Sequence, residues 1–270
     1  VSLAEQAGPA GFRKSVALKI IKSEYAEDET FIKMLMREAS IGGLLRHPNI
    51  VQTLSFEQYE GRYVLVLEYV QGRTIEDLLL EAKGPLESSK ALDVAIQACR
   101  GLGYAHSLLD DEGAPLVIVH RDVKPANLTM SQHGVLKIMD FGIARATASW
   151  ASLTAQGIVR GTPSYMSPEQ VLGKPLDGRS DLFSLGTILC EMITGECLFK
   201  APTMLKVMER VARVEVRDGL DRAEARLPGV GPLLKKLLAP HPDDRFADAD
   251  VLAEALKHLL IGGEEGTQVA

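Results

Sequence analysis

The stretch His120-Arg121-Asp122-Val123-Lys124-Pro125-Ala126-Asn127, followed by Asp140-Phe141-Gly142, is the most informative part of this chain. Asp122 supplies one carboxylate, and Asn127 and Asp140 supply an amide and a second carboxylate. A carboxylate can take the proton of a hydroxyl, and amide and carboxylate oxygens suit Mg²⁺. The spacing from Asp122 to Asp140 leaves room for a tight loop and one hairpin. The three side chains can therefore converge, and together they predict a site for phosphoryl transfer.

The surrounding pattern predicts an α+β chain whose start is rich in strands and whose remainder is mostly helical. Alternation of apolar residues predicts strands in the first 70 residues, and a helix over residues 28–45 buries one apolar face. Ser88 or Ser89 is a candidate N-cap of a later helix. Residues 128–130 and 135–139 form a predicted hairpin around Gly134. The predicted strands near the start cover residues 1–4, 15–22, 52–58 and 63–69, and the later helices cover residues 74–81, 88–109 and most of the chain to 260.

The bulk properties limit the function classes. The chain has 270 residues, of which 46% are hydrophobic and 24% charged, and this is typical of a globular protein. Its net charge of −6 argues against a nucleic-acid partner. Its longest apolar runs are too short to span a bilayer, and no signal segment is visible. Three cysteines without metal-like spacing predict reduced thiols and a cytoplasmic location. These are Cys99, Cys190 and Cys197.

With these motifs in register, the chain resembles the eukaryotic-type (Hanks-type) Ser/Thr protein kinases, and more narrowly their bacterial branch. The resemblance implies a bilobal protein-kinase-like fold, with a small β-rich lobe over residues 1–69 and a hinge at about 68–72. A helical large lobe would follow over residues 73–262, with a flexible tail over 263–270. The implied reaction transfers the γ-phosphoryl group of ATP to Ser or Thr hydroxyls of protein substrates, with Mg²⁺.

The same resemblance implies a role for each polar group of the site. Asp122 would accept the hydroxyl proton, and Lys124 would neutralise charge on the γ-phosphoryl group. Asn127 and Asp140 would hold Mg²⁺. Lys19, in Val16-Ala17-Leu18-Lys19, would bind the α- and β-phosphates, and Glu38 would fix its rotamer through an ion pair.

The adenine of ATP would lie between the two lobes, beside the hinge. Ala17 would cover it from the small lobe, and Glu68 and Val70 would flank it. Leu67 would gate the pocket behind it. Thr129 departs from the family pattern, which usually has an aliphatic residue there, and we expect its methyl group to make a weaker contact.

Several motif residues are expected to support the site without touching the substrate. Asp181 would brace the backbone of the catalytic stretch, and His120 would pack beneath Phe141. Glu169, in Ser167-Pro168-Glu169, would form a buried ion pair with Arg245. His47 is interpreted as a structural residue at a helix-to-strand corner.

Arg121 precedes the catalytic Asp122 directly, which suggests control by phosphorylation of the activation segment, the stretch from Asp140 to Glu169. Thr154 is the preferred acceptor and Ser152 the second choice. Self-association would allow one copy to phosphorylate another. Thr147 and Ser149 are further hydroxyl candidates.

The glycine-rich loop of the family is expected just before the strand that starts at Val1, and it is not among these 270 residues. A misplaced start, a fragment or a genuine loss would each account for this. Gly8-Pro9-Ala10-Gly11 is a poor substitute because Pro9 lacks an N–H donor. The alternative function is therefore a catalytically weak pseudokinase or scaffold. A small-molecule kinase is disfavoured, because such enzymes lack the Gly161-Thr162-Pro163 and Ser167-Pro168-Glu169 segments.

Overall fold

The computed structural model of the chain describes residues 1–20, 29–59, 61–141 and 163–267. It has two lobes, and the smaller consists of a sheet and one helix. The strands are β1 (Ser2–Ala7), β2 (Arg13–Ile20), β3 (Thr53–Tyr59) and β4 (Arg62–Glu68), and the helix is α1 (Glu29–Leu44). These elements lie where the sequence pattern predicts them, with small differences at their ends.

The sheet of the small lobe is antiparallel, with the order β1-β2-β4-β3. Val16 of β2 packs against Val64 and Val66 of β4, and these three form the buried core of the sheet. Because side chains alternate along a strand, Ala17 and Lys19 lie on the opposite face from Val16. They pair with Leu67 and Leu65 respectively, which sets their register relative to the hinge.

The large lobe is built on helices. Its main core is formed by the helices α3 (Ser88–His106) and α5 (Gly178–Thr194) with the helices packed on them, and Phe183, Leu185 and Ile188 of α5 are fully buried. The helices are α2 (Ile75–Ala82), α3 (Ser88–His106), α4 (Pro168–Val171), α5 (Gly178–Thr194), α6 (Met204–Arg213), α7 (Arg217–Arg226), α8 (Val230–Leu237) and α9 (Ala249–Thr267). This architecture confirms the predicted bilobal α+β fold.

The helix ends show where local sequence rules apply and where they do not. Thr74 and Asp77 form a capping box at the start of α2. With Thr74 as the N-cap, the helix begins one residue after the predicted start. The prediction of a serine N-cap for α3 is wrong. The N-cap is Glu87, without a side-chain cap bond, because the Ser89 hydroxyl instead donates to the Glu87 carboxylate at 2.7 Å.

The helix α9 continues to Thr267, so residues 263–267, which the sequence assigns to a tail, are helical. Gly262 and Gly263 favour a helix end in the sequence. A glycine in a helix costs about 1 kcal/mol relative to Ala but does not terminate the helix by itself. Within the described ranges, no helix is long and apolar enough to cross a membrane.

A second sheet joins the lobes at the floor of the cleft between them. It has the order β5-β6-β7, with β5 (Gly72–Thr74), β6 (Leu128–Ser131) and β7 (Leu136–Ile138). The predicted hairpin is β6–β7, whereas β5 was not predicted. Asn49 from the small lobe donates to the Leu136 carbonyl at 2.9 Å and to Gln97 of α3 at 3.1 Å. The loop before β3 is thereby attached to the large lobe.

Candidate active site

The cleft between the lobes contains the residues predicted to surround a nucleotide. It has a volume of about 240 Å³ and is mostly apolar. Thr129 on its floor is buried, and its hydroxyl faces the Met139 sulfur at 3.4 Å. The five predicted adenine-pocket residues all line the cleft, namely Ala17, Leu67, Glu68, Val70 and Thr129.

Lys19 lies between two carboxylates at the inner end of this cleft. Its Nζ is 2.5 Å from Glu38 Oε1 on α1 and 3.0 Å from Asp140 Oδ1. Burial alone lowers the pKa of Lys19, but Asp140 and Glu38 outweigh it, so the pKa is raised and the lysine stays cationic. Burial also raises the pKa of Glu38, against the opposing effect of Lys19. The Lys19–Glu38 ion pair expected from the sequence is therefore present.

Asp122, Lys124 and Asn127 lie together in a turn before β6. Lys124 Nζ is 3.0 Å from Asp122 Oδ2. The Asn127 amide donates to the Asp122 backbone carbonyl at 2.8 Å and to its Oδ2 at 3.2 Å. Both bonds use the Asn127 NH₂ group, so the side-chain oxygen of Asn127 takes no part in them and is the atom that can act as a ligand.

Asp140 is brought to this turn by the residue before it. The Met139 N–H donates to the Asn127 backbone carbonyl at 2.9 Å. The Asp122 N–H donates to His120 Nδ1 at 3.2 Å, so the ring proton lies on Nε2, which donates to the Met139 carbonyl at 2.9 Å. The His120 ring also packs against Phe141, with a centroid distance of 4.6 Å. This contact agrees with the structural role expected for His120.

Two residues of the site have left-handed backbone conformations. The φ angle is 67° at Arg121 and 53° at Asp140. Such a conformation in a non-glycine residue costs on the order of 1–3 kcal/mol, and it persists only where the surroundings enforce it. Here neighbouring backbone hydrogen bonds hold the two residues in place, from the Arg121 N–H to Asp181 and from the Met139 N–H to the Asn127 carbonyl.

Asp181 braces the catalytic turn, as expected from the sequence. It has 1% exposure, and its two oxygens accept the backbone N–H groups of His120 and Arg121, both at 2.8 Å. His106 donates to the same carboxylate at 2.8 Å, and sequence reasoning missed this contact. Burial alone raises the pKa of Asp181, but the hydrogen bond from His106 and the nearby charges hold it below its ordinary value.

Glu68 at the hinge has a partner that the sequence did not indicate. Its carboxylate lies 2.7 Å from Lys137 Nζ on β7, and the Gln52 N–H donates to it at 3.1 Å. The hinge, the loop before β3 and the strand that leads to Asp140 are thus joined at one carboxylate. Alternation along β7 places Lys137 on the face opposite the buried Leu136 and Ile138, which is the signal available in the sequence.

The ion pair of Glu169 and Arg245 is also present. It is bidentate, with N–O distances of 2.7 and 2.8 Å, and both side chains are buried. Ser180 donates to the same Glu169 carboxylate at 2.6 Å. Burial alone raises the pKa of Glu169, but the bonds from Arg245 and Ser180 hold it below its ordinary value.

Arg121 is half-buried, and its pKa is lowered by burial, with Asp181 opposing and Arg37 adding to the shift. Arg37 of α1 is therefore a second cation near Arg121, and it was not singled out from the sequence. The candidate phosphorylation sites Thr147, Ser149, Ser152 and Thr154 lie outside the described residues. Gly161 and Thr162 also lie outside them.

The residues present fit a Mg²⁺ ion bound with a nucleotide. Asn127 offers an amide oxygen and Asp140 a carboxylate, and these are hard oxygen donors of the kind that Mg²⁺ prefers. Two protein ligands suffice, because Mg²⁺ sites with phosphates usually keep several waters.

Comparison with known proteins agrees with this geometry. The family model described as "Protein kinase domain" matches residues 6–261. The chain is 34% identical over 263 residues to the "Tyrosine-protein kinase MasK" of Myxococcus xanthus, covering 96% of this chain and 41% of that protein. It is 36% identical over 241 residues to the "Serine/threonine-protein kinase PknB" of Mycobacterium tuberculosis, covering 87% of this chain and 37% of that protein. The chain thus spans about two-fifths of the length of these relatives, and it belongs to the protein kinase domain family.

Proposed function

We propose that this chain transfers the γ-phosphoryl group of ATP to Ser or Thr hydroxyls of proteins. The observation that supports this most strongly is the joint placement of Asp122, Lys124 and Asn127 beside Asp140, at the inner end of an apolar cleft. The ion pair between Lys19 and Glu38 adds a held cation at the same place. These are the groups that position and stabilise a transferring phosphoryl group.

Each residue has a task in this proposal. The Asp122 carboxylate orients the substrate hydroxyl and accepts its proton, which contributes about 10²–10⁴ in rate for a positioned base. Lys124, 3.0 Å from Asp122, stabilises negative charge on the transferring group. Lys19 holds the α- and β-phosphates. Mg²⁺, held by Asn127 and Asp140, supplies charge neutralisation for the phosphates when it is bound.

Ser/Thr specificity is the finer part of the proposal, because one relative is named a tyrosine kinase and others are named serine/threonine kinases. Lys124, two positions after Asp122, supports Ser/Thr specificity. This lysine is bonded to the catalytic carboxylate at 3.0 Å, and the resemblance to the family makes Lys124 and Thr162 the pair expected of Ser/Thr rather than Tyr specificity.

The proposal also includes regulation of the kinase by phosphorylation of its activation segment. The charge of Arg37 contributes to the lowered pKa of Arg121, after burial, and a nearby phosphate would relieve this repulsion between the two cations. Thr154 remains the preferred acceptor, with Ser152 second. Phosphorylation between copies and a cytoplasmic location remain proposals as well.

The test is an assay of phosphate transfer from γ-labelled ATP with Mg²⁺, run on the present chain and on the full-length protein. Asp122→Asn should lower the rate about 100-fold or more. Asp111→Asn is the matched control, because Asp111 lies in an exposed loop and its substitution should leave the rate unchanged. Hydrolysis of the product should yield phosphoserine or phosphothreonine.

Phosphotyrosine as the main product would overturn the Ser/Thr assignment while keeping the kinase. Nucleotide binding without transfer in both proteins would favour the scaffold alternative. Thr154→Ala with unchanged activity and unchanged mass-mapped phosphorylation would overturn the choice of acceptor.

A further inference from the structure

A basic region of this acidic protein lies in the large lobe, away from the cleft between the lobes. The segment 200–237 contains nine Lys or Arg and five Asp or Glu side chains, whereas the rest of the chain carries ten more acidic than basic side chains. This surplus of positive charge is local, and it favours an anionic partner.

A large open cleft lies within this region. It has a volume of about 990 Å³ and is bounded by the end of α5, the last turn of α6 and the first turn of α7. Buried Leu198 and half-buried Val214 and Val216 supply apolar surface in it. Its five cationic lining residues are Lys200, Arg210, Arg213, Arg217 and Arg222.

The carboxylates of the cleft leave these cations incompletely paired. Arg210 and Arg213 share Glu215 at 3.6 and 3.9 Å, and Arg222 lies 3.5 Å from Glu196. A charge-assisted hydrogen bond is normally about 2.7–2.9 Å long, so these ion pairs leave guanidinium donors of Arg213 and Arg222 unused. Arg210 also donates to the Lys200 backbone carbonyl at 2.5 Å, which uses one of its donors. Within the residues that the structure describes, Arg217 forms no ion pair.

The two other carboxylates of the cleft, Glu191 and Asp218, repel a bound anion only weakly. Glu191 accepts a hydrogen bond from the Tyr165 hydroxyl at 2.7 Å, and burial raises its pKa. Asp218 lies in the first turn of α7, where it interacts with the helix dipole. No side chain caps that helix, whose N-cap is Val216, so its first backbone N–H groups lack a side-chain acceptor.

We propose that this cleft binds a phosphoserine or phosphothreonine in a peptide segment of a partner protein. Four arginines offer the planar forks that bind phosphate oxygens in pairs. The cleft is larger than a phosphate group requires, and its apolar wall suits the side chains that flank the phosphorylated residue. The hydrogen bond between Tyr165 and Glu191 connects the cleft to the segment that follows Pro163, so a bound partner would lie near that segment.

The proposal is tested by direct binding without ATP, so its outcome does not depend on phosphoryl transfer. A short fluorescent peptide of Ala and Val with one phosphothreonine is titrated with the chain and followed by anisotropy. The same peptide with Thr or Glu at that position, and inorganic phosphate as competitor, complete the set. Arg213→Gln combined with Arg217→Gln should weaken binding of the phosphopeptide at least tenfold.

The matched control is Arg226→Gln combined with Lys235→Gln, which removes the same charge from exposed positions outside the cleft. It should change the affinity less than twofold. Absence of phosphopeptide binding would overturn the proposal, as would equal binding of the Thr or Glu peptide. Equal losses in both double variants would show non-specific attraction, and inorganic phosphate binding as tightly as the peptide would show a bare anion site. Either result overturns the proposal.

Discussion

At the residue scale, the buried carboxylate of Asp181 holds the catalytic turn in place. It accepts three hydrogen bonds, two of them from the backbone of the catalytic turn. Neither His120 nor Arg121 has another described acceptor for its backbone N–H. The geometry of Asp122 therefore depends on a side chain of α5, which lies far along the chain from the catalytic turn.

Asp181→Asn tests this dependence. An amide has one oxygen and one NH₂ group, so its NH₂ would face a backbone N–H of the turn. We expect kcat to fall about 100-fold, because a misplacement of about 1 Å costs that much, and the stability to fall by about 1–3 kcal/mol. Steady-state kinetics and urea unfolding measure the two effects. A lower stability with unchanged kcat would show that the brace serves only the fold.

The residues that the sequence predicted and those that it did not differ in the distance along the chain to their partners. Asp122, Lys124 and Asn127 lie within one short stretch, so their spacing alone predicts a turn with converging groups. His106 and Arg37 act through contacts with residues that are distant in the sequence, and no local spacing marks them. The alternation along β7 marks Lys137 only as facing away from the buried Leu136 and Ile138, and it does not identify Glu68 as the partner. Such contacts arise only when the helices and the hairpin are packed together.

At the scale of elements, two adjacent glycines in α1 have opposite surroundings. A Cβ at Gly42 would lie too close to Thr53 Oγ1 of β3, whereas a Cβ at Gly43 would meet nothing within 4 Å. Gly42 is therefore required for the close packing of α1 on the sheet, which also places Glu38 beside Lys19. Helix propensity treats the two glycines alike, because each costs about 1 kcal/mol relative to Ala in a helix.

Gly42→Ala and Gly43→Ala form a matched pair. We expect Gly43→Ala to stabilise the protein by up to about 1 kcal/mol through helix propensity. Gly42→Ala should destabilise it by about 1–3 kcal/mol through overpacking, and it should raise KM for ATP because α1 moves away from Lys19. Thermal unfolding and ATP kinetics measure both variants. Equal stabilisation by the two substitutions would contradict the packing account.

At the scale of the whole molecule, the pair of Glu169 and Arg245 links stability to pH. The pKa of Glu169 is lower in the folded protein than its ordinary value of 4.5. Its contribution is therefore fully present above about pH 4.5, and it is lost as the pH falls through the lowered value. The residues come from α4 and from the segment before α9, so the pair connects distant parts of the large lobe.

Glu169→Gln should destabilise the protein at pH 7 by about 3–5 kcal/mol, because it leaves Arg245 buried without a counter-charge. The variant should also lose part of the decline in stability below about pH 4.5. Chemical unfolding at pH 7 and at a series of acidic pH values measures both effects. Glu254→Gln, which breaks an exposed pair with Lys257, is the control and should change neither quantity appreciably. An acid transition of the same steepness in Glu169→Gln and wild type would contradict the linkage.

The attachment of the loop before β3 has a consequence for how the protein opens locally. Ile138 donates to the Asn49 carbonyl and Val51 donates to the Ile138 carbonyl, both at 2.9 Å. Although residues 49–51 precede the hinge in the chain, the Val51 amide and the Asn49 carbonyl are bonded to Ile138 of the large lobe. In native-state hydrogen exchange, the Val51 amide should therefore be protected to the same free energy as α3, while amides of β1 and β2 exchange through easier openings. The two units that unfold cooperatively would then meet just before β3. Residues 49–51 would unfold together with the large lobe, and the small lobe would move about this short segment.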